Sequence, residues 1–176
     1  VKLLHGSIDN LGDGRGPYGG NSARFYKTTL STAWNNFSSQ YSDAFCITNG
    51  QFHNNNIDPT EFSFSLKKDG QILSDGTEVK KIFPGQILIL ELWSDHANIQ
   101  QLSKESLYNS TAPDVLGGLT EEADIQMNTY VGRTFAGIDD TDFNGTYETV
   151  LIFNSLSARQ VDAADALRAF GADKII

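Results

Sequence analysis

Leu30, Ala33, Trp34, Phe37 and Tyr41 recur at intervals of three and four, so one apolar stripe runs along a predicted helix that Thr28 or Thr29 can cap. The stripe reads as a core face. Ala44 to Thr48 reads as a short buried strand, followed at once by Asn49-Gly50-Gln51-Phe52. From Glu61 the period drops to two. Phe62, Phe64 and Leu66 alternate with Ser63, Ser65 and Lys67, and Asp69-Gly70 supplies a hairpin turn before Gln71-Ile72-Leu73. Gln86 to Trp93 is a further strand, whose Ile87-Leu88-Ile89-Leu90 run is too apolar for a surface edge. Ser103 to Tyr108 reads as a helical turn, and Val115 to Gly118 as a strand end with a bend. Arg133 to Asp139 and Tyr147 to Phe153 are two strands joined across a polar turn. Ala158, Val161, Ala164, Leu167 and Phe170 then repeat every three residues in a helix capped by Ser157, with Gly171 where an αL residue closes it. Lys174-Ile175-Ile176 reads as the opening of a buried strand.

Strands dominate, with one helix near each end. That pattern predicts an α+β fold in a single domain, built on a mostly antiparallel or mixed sheet. A chain of 176 residues is long enough for one ordinary core, and no repeat or linker divides it. Residues 1–22 are expected to form an irregular arm, because Gly6, Gly12, Gly14, Gly16, Pro17, Gly19 and Gly20 crowd it with turn formers. Residues 23–176 form the domain proper. Gly12-Asp13-Gly14-Arg15-Gly16 does not qualify as a phosphate loop: no strand precedes it, no Lys-Ser/Thr follows, and Pro17 interrupts the required helix.

Charge narrows the partners. Thirteen basic residues against 22 acidic ones leave a net charge of −9, and the close basic pairs Lys67-Lys68 and Lys80-Lys81 have no third member. Nucleic acid is therefore not an expected partner, since phosphate backbones need a clustered positive face. The longest aliphatic run falls far short of the ~20 residues of a membrane helix, so no membrane insertion is expected. A single cysteine, Cys46, excludes an intrachain disulfide and a cysteine zinc site, and its apolar neighbours predict a buried thiol. The start at Val1, without a signal-peptide pattern, and the stop within a strand pattern lead us to expect a processed or trimmed product.

Five features, read in order, resemble the phosphodiester glycosidase family. The helix running into Phe45-Cys46-Ile47-Thr48-Asn49-Gly50-Gln51-Phe52 is similar to its strand ending in Asn-Gly-Gly-Phe-Phe. The Asp69-Gly70 hairpin, the Val115-Leu116-Gly117-Gly118 segment and the Gly132-Arg133-Thr134-Phe135-Ala136-Gly137-Ile138-Asp139 strand resemble its ribbon, its mid-domain Gly-Gly and its Arg-Thr-x-x-Gly strand. Val150 to Ala172 resembles its final strand and helix, so the likeness spans roughly residues 23–176. Two departures stand out. Gln51 replaces the second glycine, and the family's next strand, with Leu-Asp-Gly-Gly-Gly-Ser, lies past Ile176. The resemblance implies a domain that cleaves sugar-1-phosphodiester bonds, with a sugar phosphodiester or glycan ligand and an extracytoplasmic or secreted setting. If catalysis uses that family aspartate, the sequence as given is an incomplete enzyme.

Such chemistry needs a phosphate holder, groups for sugar hydroxyls and an acid–base group. Arg133 offers a planar fork for phosphate, Thr134 adds a hydroxyl on the opposite strand face, and Asn49-Gly50 can present an amide at a strand end. The bland alternatives are a surface salt bridge for Arg133 and an ordinary turn for Asn49-Gly50. His53 reaches the same region or is simply solvated. Glu91, Asp95 and His96 gather at the end of the most apolar strand, where a carboxylate can hold its proton more tightly and act as an acid. Glu91, Asp95 and His53 are thus the catalytic candidates; Asn49, Gly50, Arg133 and Thr134 are the substrate-binding ones. No Gly-x-Ser-x-Gly elbow supports a Ser-His-Asp triad.

One turn suggests a metal. Asp140, Asp142 and Asn144 alternate before Gly145, as in the first half of a calcium loop, but Leu151 occupies the twelfth position and Glu148, at the ninth, only partly compensates. The alternatives are a weak calcium site and a plain acidic hairpin. Asn36-Phe37-Ser38, Asn109-Ser110-Thr111 and Asn144-Gly145-Thr146 match the glycosylation pattern. Two functional readings compete: the body of a sugar phosphodiester hydrolase, and a non-catalytic secreted or surface module associated with carbohydrate.

Overall fold

The computed structural model describes residues 1–10, 13–79, 83 and 85–176. In chain order the elements are β1 (Ile8–Asn10), β2 (Arg24–Phe25), α1 (Leu30–Ser38), β3 (Thr60–Glu61), β4 (Leu66–Lys68), β5 (Gln71–Ser74) and β6 (Ile87–Leu92). They continue as β7 (Ala97–Gln101), α2 (Lys104–Tyr108), β8 (Asp114–Leu119), β9 (Val131–Asp139), β10 (Thr149–Ala158), α3 (Gln160–Ala169) and β11 (Lys174–Ile175). The fold is α+β in a single domain. Gly12 and the Lys80-Lys81 pair lie outside the described residues. Among the described residues no helix is long and apolar enough to cross a membrane.

Among the described residues every strand pair is antiparallel. A five-stranded sheet runs β5-β4-β8-β6-β7, a three-stranded sheet runs β10-β9-β11, and a small one runs β1-β2-β3. Alternation along β6 then sorts its side chains. Leu90 and Leu92 join Ala97, Ile99 and Ile138 between the two larger sheets, while Ile89 packs with Leu107, Ala112 and Val115 beneath α2. On the far side of β9 and β10, Phe135, Leu151 and Phe153 lie under Ala164 and Leu167 of α3. Four layers result: α2, the large sheet, the three-stranded sheet, α3. Gly117 is required where β8 passes β4, because a Cβ there would stand 2.7 Å from the Ser65 amide nitrogen.

The glycine-rich arm is more ordered than its composition suggests. It contributes β1, and the fully buried Asp75 carboxylate accepts the Tyr18 and Gly20 amides, each at 3.0 Å, and the Tyr108 hydroxyl at 2.7 Å.

Three expectations are overturned. Thr29 does cap α1, accepting from the Thr32 amide at 3.1 Å, yet no residue of that helix is buried. Leu30 is 50% exposed, and the helix ends at Ser38, beyond which the Phe37 and Tyr41 rings pack on each other at 4.7 Å. Among the described residues the segment from Ala44 to Thr48 pairs with no strand, Phe45 is 91% exposed and Cys46 is exposed rather than buried. Apolar spacing specifies a face but not the surface it meets, and here Ala33, Trp34 and Phe37 are only half-buried. Ser157 is not the α3 cap. β10 stays paired with β9 as far as Ala158↔Val131, and the backbone amide of Arg159 instead donates to Asp162 at 3.0 Å. Ile175 and Ile176 do enter a sheet, Ile176 exchanging two backbone hydrogen bonds with Ala136.

Candidate functional site

Adjacent residues of β9 point to opposite faces, and this separates Arg133 from Thr134. The Arg133 guanidinium is occupied by backbone carbonyls: Nη1 donates to Ile125 at 3.1 Å, Nη2 to Gln126 at 2.6 Å and Thr129 at 3.4 Å, and Nε to Ala158 at 3.3 Å. The fork expected to grip phosphate instead ties the 125–129 loop to the end of β10. Gln126 adopts a φ of 53°, a left-handed conformation uncommon for a residue with a side chain, and its carbonyl receives the shortest of these bonds.

On the other face, residues remote in sequence meet. Asn154 stands opposite Thr134 in the β9–β10 register, and its Nδ2 donates to Thr134 Oγ1 and Thr48 Oγ1, both at 2.8 Å. The two threonine hydroxyls are 3.4 Å apart across 86 residues of sequence. Thr48 and Thr134 thus meet, while Arg133, on the opposite face of β9, does not join Asn49 and Gly50 in one cleft. Asn49 is exposed and its amide turns back to the Gln51 carbonyl at 3.2 Å; Gly50 is exposed above Leu116. Sequence reasoning missed Asn154, since only strand register places it opposite Thr134.

The catalytic candidates scatter. Glu91 is 3% exposed, and its carboxylate accepts from Asn98 at 2.9 Å, Gln100 at 2.8 Å and Ser110 at 2.5 Å. It faces α2, away from β9, with its acceptors occupied, so the structure gives it a structural role in place of the expected acid. Asp95 is exposed in the β6–β7 turn, where the hydrogen bond from the His96 ring holds its carboxyl below the usual range. An acid needs the opposite shift. His96 itself stacks on Trp93 at 4.4 Å.

His53 is different, because it lines a cavity. A cleft of about 280 Å³ is walled by Phe52, His53, Phe64, Phe83 and Ile125, and it adjoins a second of about 420 Å³ whose polar wall includes Thr60, Glu61 and Thr77. Asn54, Ser63 and Glu78 line both. At the rim Arg15 is neutralised by Asp13 at 2.6 Å and Glu61 at 3.5 Å. Among the described residues no hydrogen bond or ion pair engages the Glu78 carboxylate. Ile125 belongs to the loop that Arg133 ties down, so Arg133 serves this cleft by bracing its wall. Glu78 carried no signal in the sequence; only folding sets it beside the phenylalanines.

Comparison with known proteins returns no family model, no curated protein and no solved structure that matches this chain. The site has to be read from its own residues.

The acidic turn after β9 brings carboxylate oxygens of Asp140, Asp142 and Glu148 within 4.8 Å of one another. Asn144 is engaged within the turn itself. Its Oδ1 accepts the Thr146 amide at 2.8 Å and its Nδ2 donates to Asp142 at 2.9 Å, while Asp140 accepts the Asn144 and Gly145 amides. The turn thus closes on its own amides as a plain acidic hairpin does. Accordingly, the melting temperature is expected to be the same in calcium and in chelator. A rise in calcium that Asp142→Ala abolishes would establish an ion site instead.

Proposed function

We propose that this chain is a non-catalytic, carbohydrate-associated module, secreted or at a cell surface, which takes a glycan in the two joined clefts. The observation that supports this is their lining. A sugar ring presents C–H faces and a rim of hydroxyls; Phe52 and Phe83 offer apolar faces, and Asn54, Ser63, Thr77 and Glu78 offer donors and acceptors. The larger cleft is within the range of small-molecule sites. The likeness to phosphodiester glycosidases draws some support from the meeting of Thr48 with Thr134. Its hydrolytic half draws less, because the guanidinium of Arg133 is held by carbonyls and Glu91 by amides and a hydroxyl.

Calorimetry against neutral oligosaccharides and a hexose-1-phosphodiester tests the reading. Neutral saccharides are expected to bind, and Phe52→Ala, which removes an exposed ring, should weaken binding about tenfold, or ~1.4 kcal/mol. Glu78→Gln should weaken it as well. Hydrolysis of the phosphodiester by the purified chain, or no binding of any neutral saccharide, would overturn it.

A further inference from the structure

We infer that β10 is a self-pairing edge through which two copies of this chain join into one continuous sheet. The direction of each backbone group along β9 and β10 carries the argument. Ala136 exchanges both its hydrogen bonds with Ile176, and the Ile138 carbonyl accepts from Asp173, so even-numbered residues of β9 address β11. Odd-numbered ones therefore address β10, where Phe135 faces Phe153 and Gly137 faces Leu151. It follows that Leu151 and Phe153 turn their backbone groups to β9, while Val150, Ile152 and Asn154 turn theirs outward. Among the described residues no backbone partner meets these outward groups.

The strand is ten residues long, Thr149 to Ala158, without a charge or a proline. Edges that stay single are usually blunted by a charge, a proline, a bulge or a short length, and the register shift of β10 lies beyond Ser155, outside the stretch from Val150 to Asn154. In a chain of net charge −9, a ten-residue stretch without a charge is a natural meeting line for two identical copies. An antiparallel edge is also self-complementary about a two-fold axis. Centring the axis on Ile152 pairs Ile152 with its own copy and Val150 with the partner's Asn154 in both directions. Each hydrogen-bonded pair exchanges two bonds, so about six form. Ile152 is 44% exposed and loses that exposure against its twin. The antiparallel orientation also sends the two acidic turns around Asp142 to opposite ends of the joint.

Sedimentation of the full chain across about 1–200 µM tests this. A mass rising from 19.3 kDa toward twice that value is expected. Ile152→Lys sets two ammonium groups on the axis and should weaken dimerisation by tenfold or more, with circular dichroism unchanged. Hydrogen exchange needs no variant: protection of the Val150, Ile152 and Asn154 amides should rise with concentration, while that of Leu151 and Phe153 stays constant. A wild-type chain that remains monomeric at every concentration would overturn the inference. So would a dimer whose outward amides gain no protection, or one that Ile152→Lys leaves intact.

Discussion

Asp75→Ala should cost about 3–4 kcal/mol of stability and lower the melting temperature by roughly 10 °C, among the largest effects of any single change here. Asp75 is 0% exposed, and its two carboxylate oxygens receive two backbone amides and a phenol hydroxyl. Bonds to an ionised acceptor are the stronger kind, and removing it leaves three donors to find other partners. The surroundings leave no room for a larger replacement. A Cβ on Gly16 would stand 2.5 Å from Asp75 Oδ2, and one on Gly20 would stand 2.7 Å from Oδ1. Burial pushes the Tyr108 hydroxyl well above its ordinary pKa and the bond to Asp75 adds to the shift, so it remains a donor through the physiological range. Asp75→Asn keeps one acceptor oxygen and should lose less than the alanine variant. Limited proteolysis should cut the alanine variant between residues 13 and 20. A variant within 1 kcal/mol of the parent in denaturant titration would show that apolar packing, not this carboxylate, holds the arm.

Arg133→Ala should release the 125–129 loop and abolish saccharide binding in the adjoining cleft. Four carbonyls lose their donors at once, and Ile125, which walls the cleft, loses its tether. A cost of about 2–3 kcal/mol is expected, since bonds to a charged donor are each worth more than neutral ones but the exposed carbonyls regain water. Arg133→Lys should rescue little. A single ammonium cannot reach carbonyls on both sides of the fork, whereas the planar guanidinium reaches four. Hydrogen exchange separates the brace from a phosphate grip. The brace requires faster exchange of the Gln126 to Thr129 amides in both variants without any ligand; unchanged exchange there would leave Arg133 open to a ligand role.

Arg133 was visible as a fork on a strand, but nothing local told which face it would leave by or that a loop's carbonyls would meet it. Asp75 carried no signal, because its three donors come from residues 18, 20 and 108. Glu91 lies on a strand too apolar for a surface edge, and its role is set by Asn98 and Gln100 of β7, which strand register brings alongside.

What the chain determines by itself is local. Residues near in sequence settle the period of two in β9 and β10, the Asp69-Gly70 turn with φ of 49° and 81°, the Thr29 cap and the left-handed Gly171 at φ 104°. They settle them because steric limits on φ and ψ and short-range hydrogen bonds act within a few residues. The α+β class follows from such elements. Tertiary structure alone decided which apolar faces found a partner: α3 lies on β9 and β10, whereas the equally regular stripe of α1 stays half-exposed. It also decided the register that sets Asn154 against Thr134, and the packing that brings Phe52, Glu78 and Ile125 to one cleft. A strand's period is a property of its own residues, but its phase against its neighbours depends on all the contacts made at once, and a shift of one residue would turn every side chain to the other face.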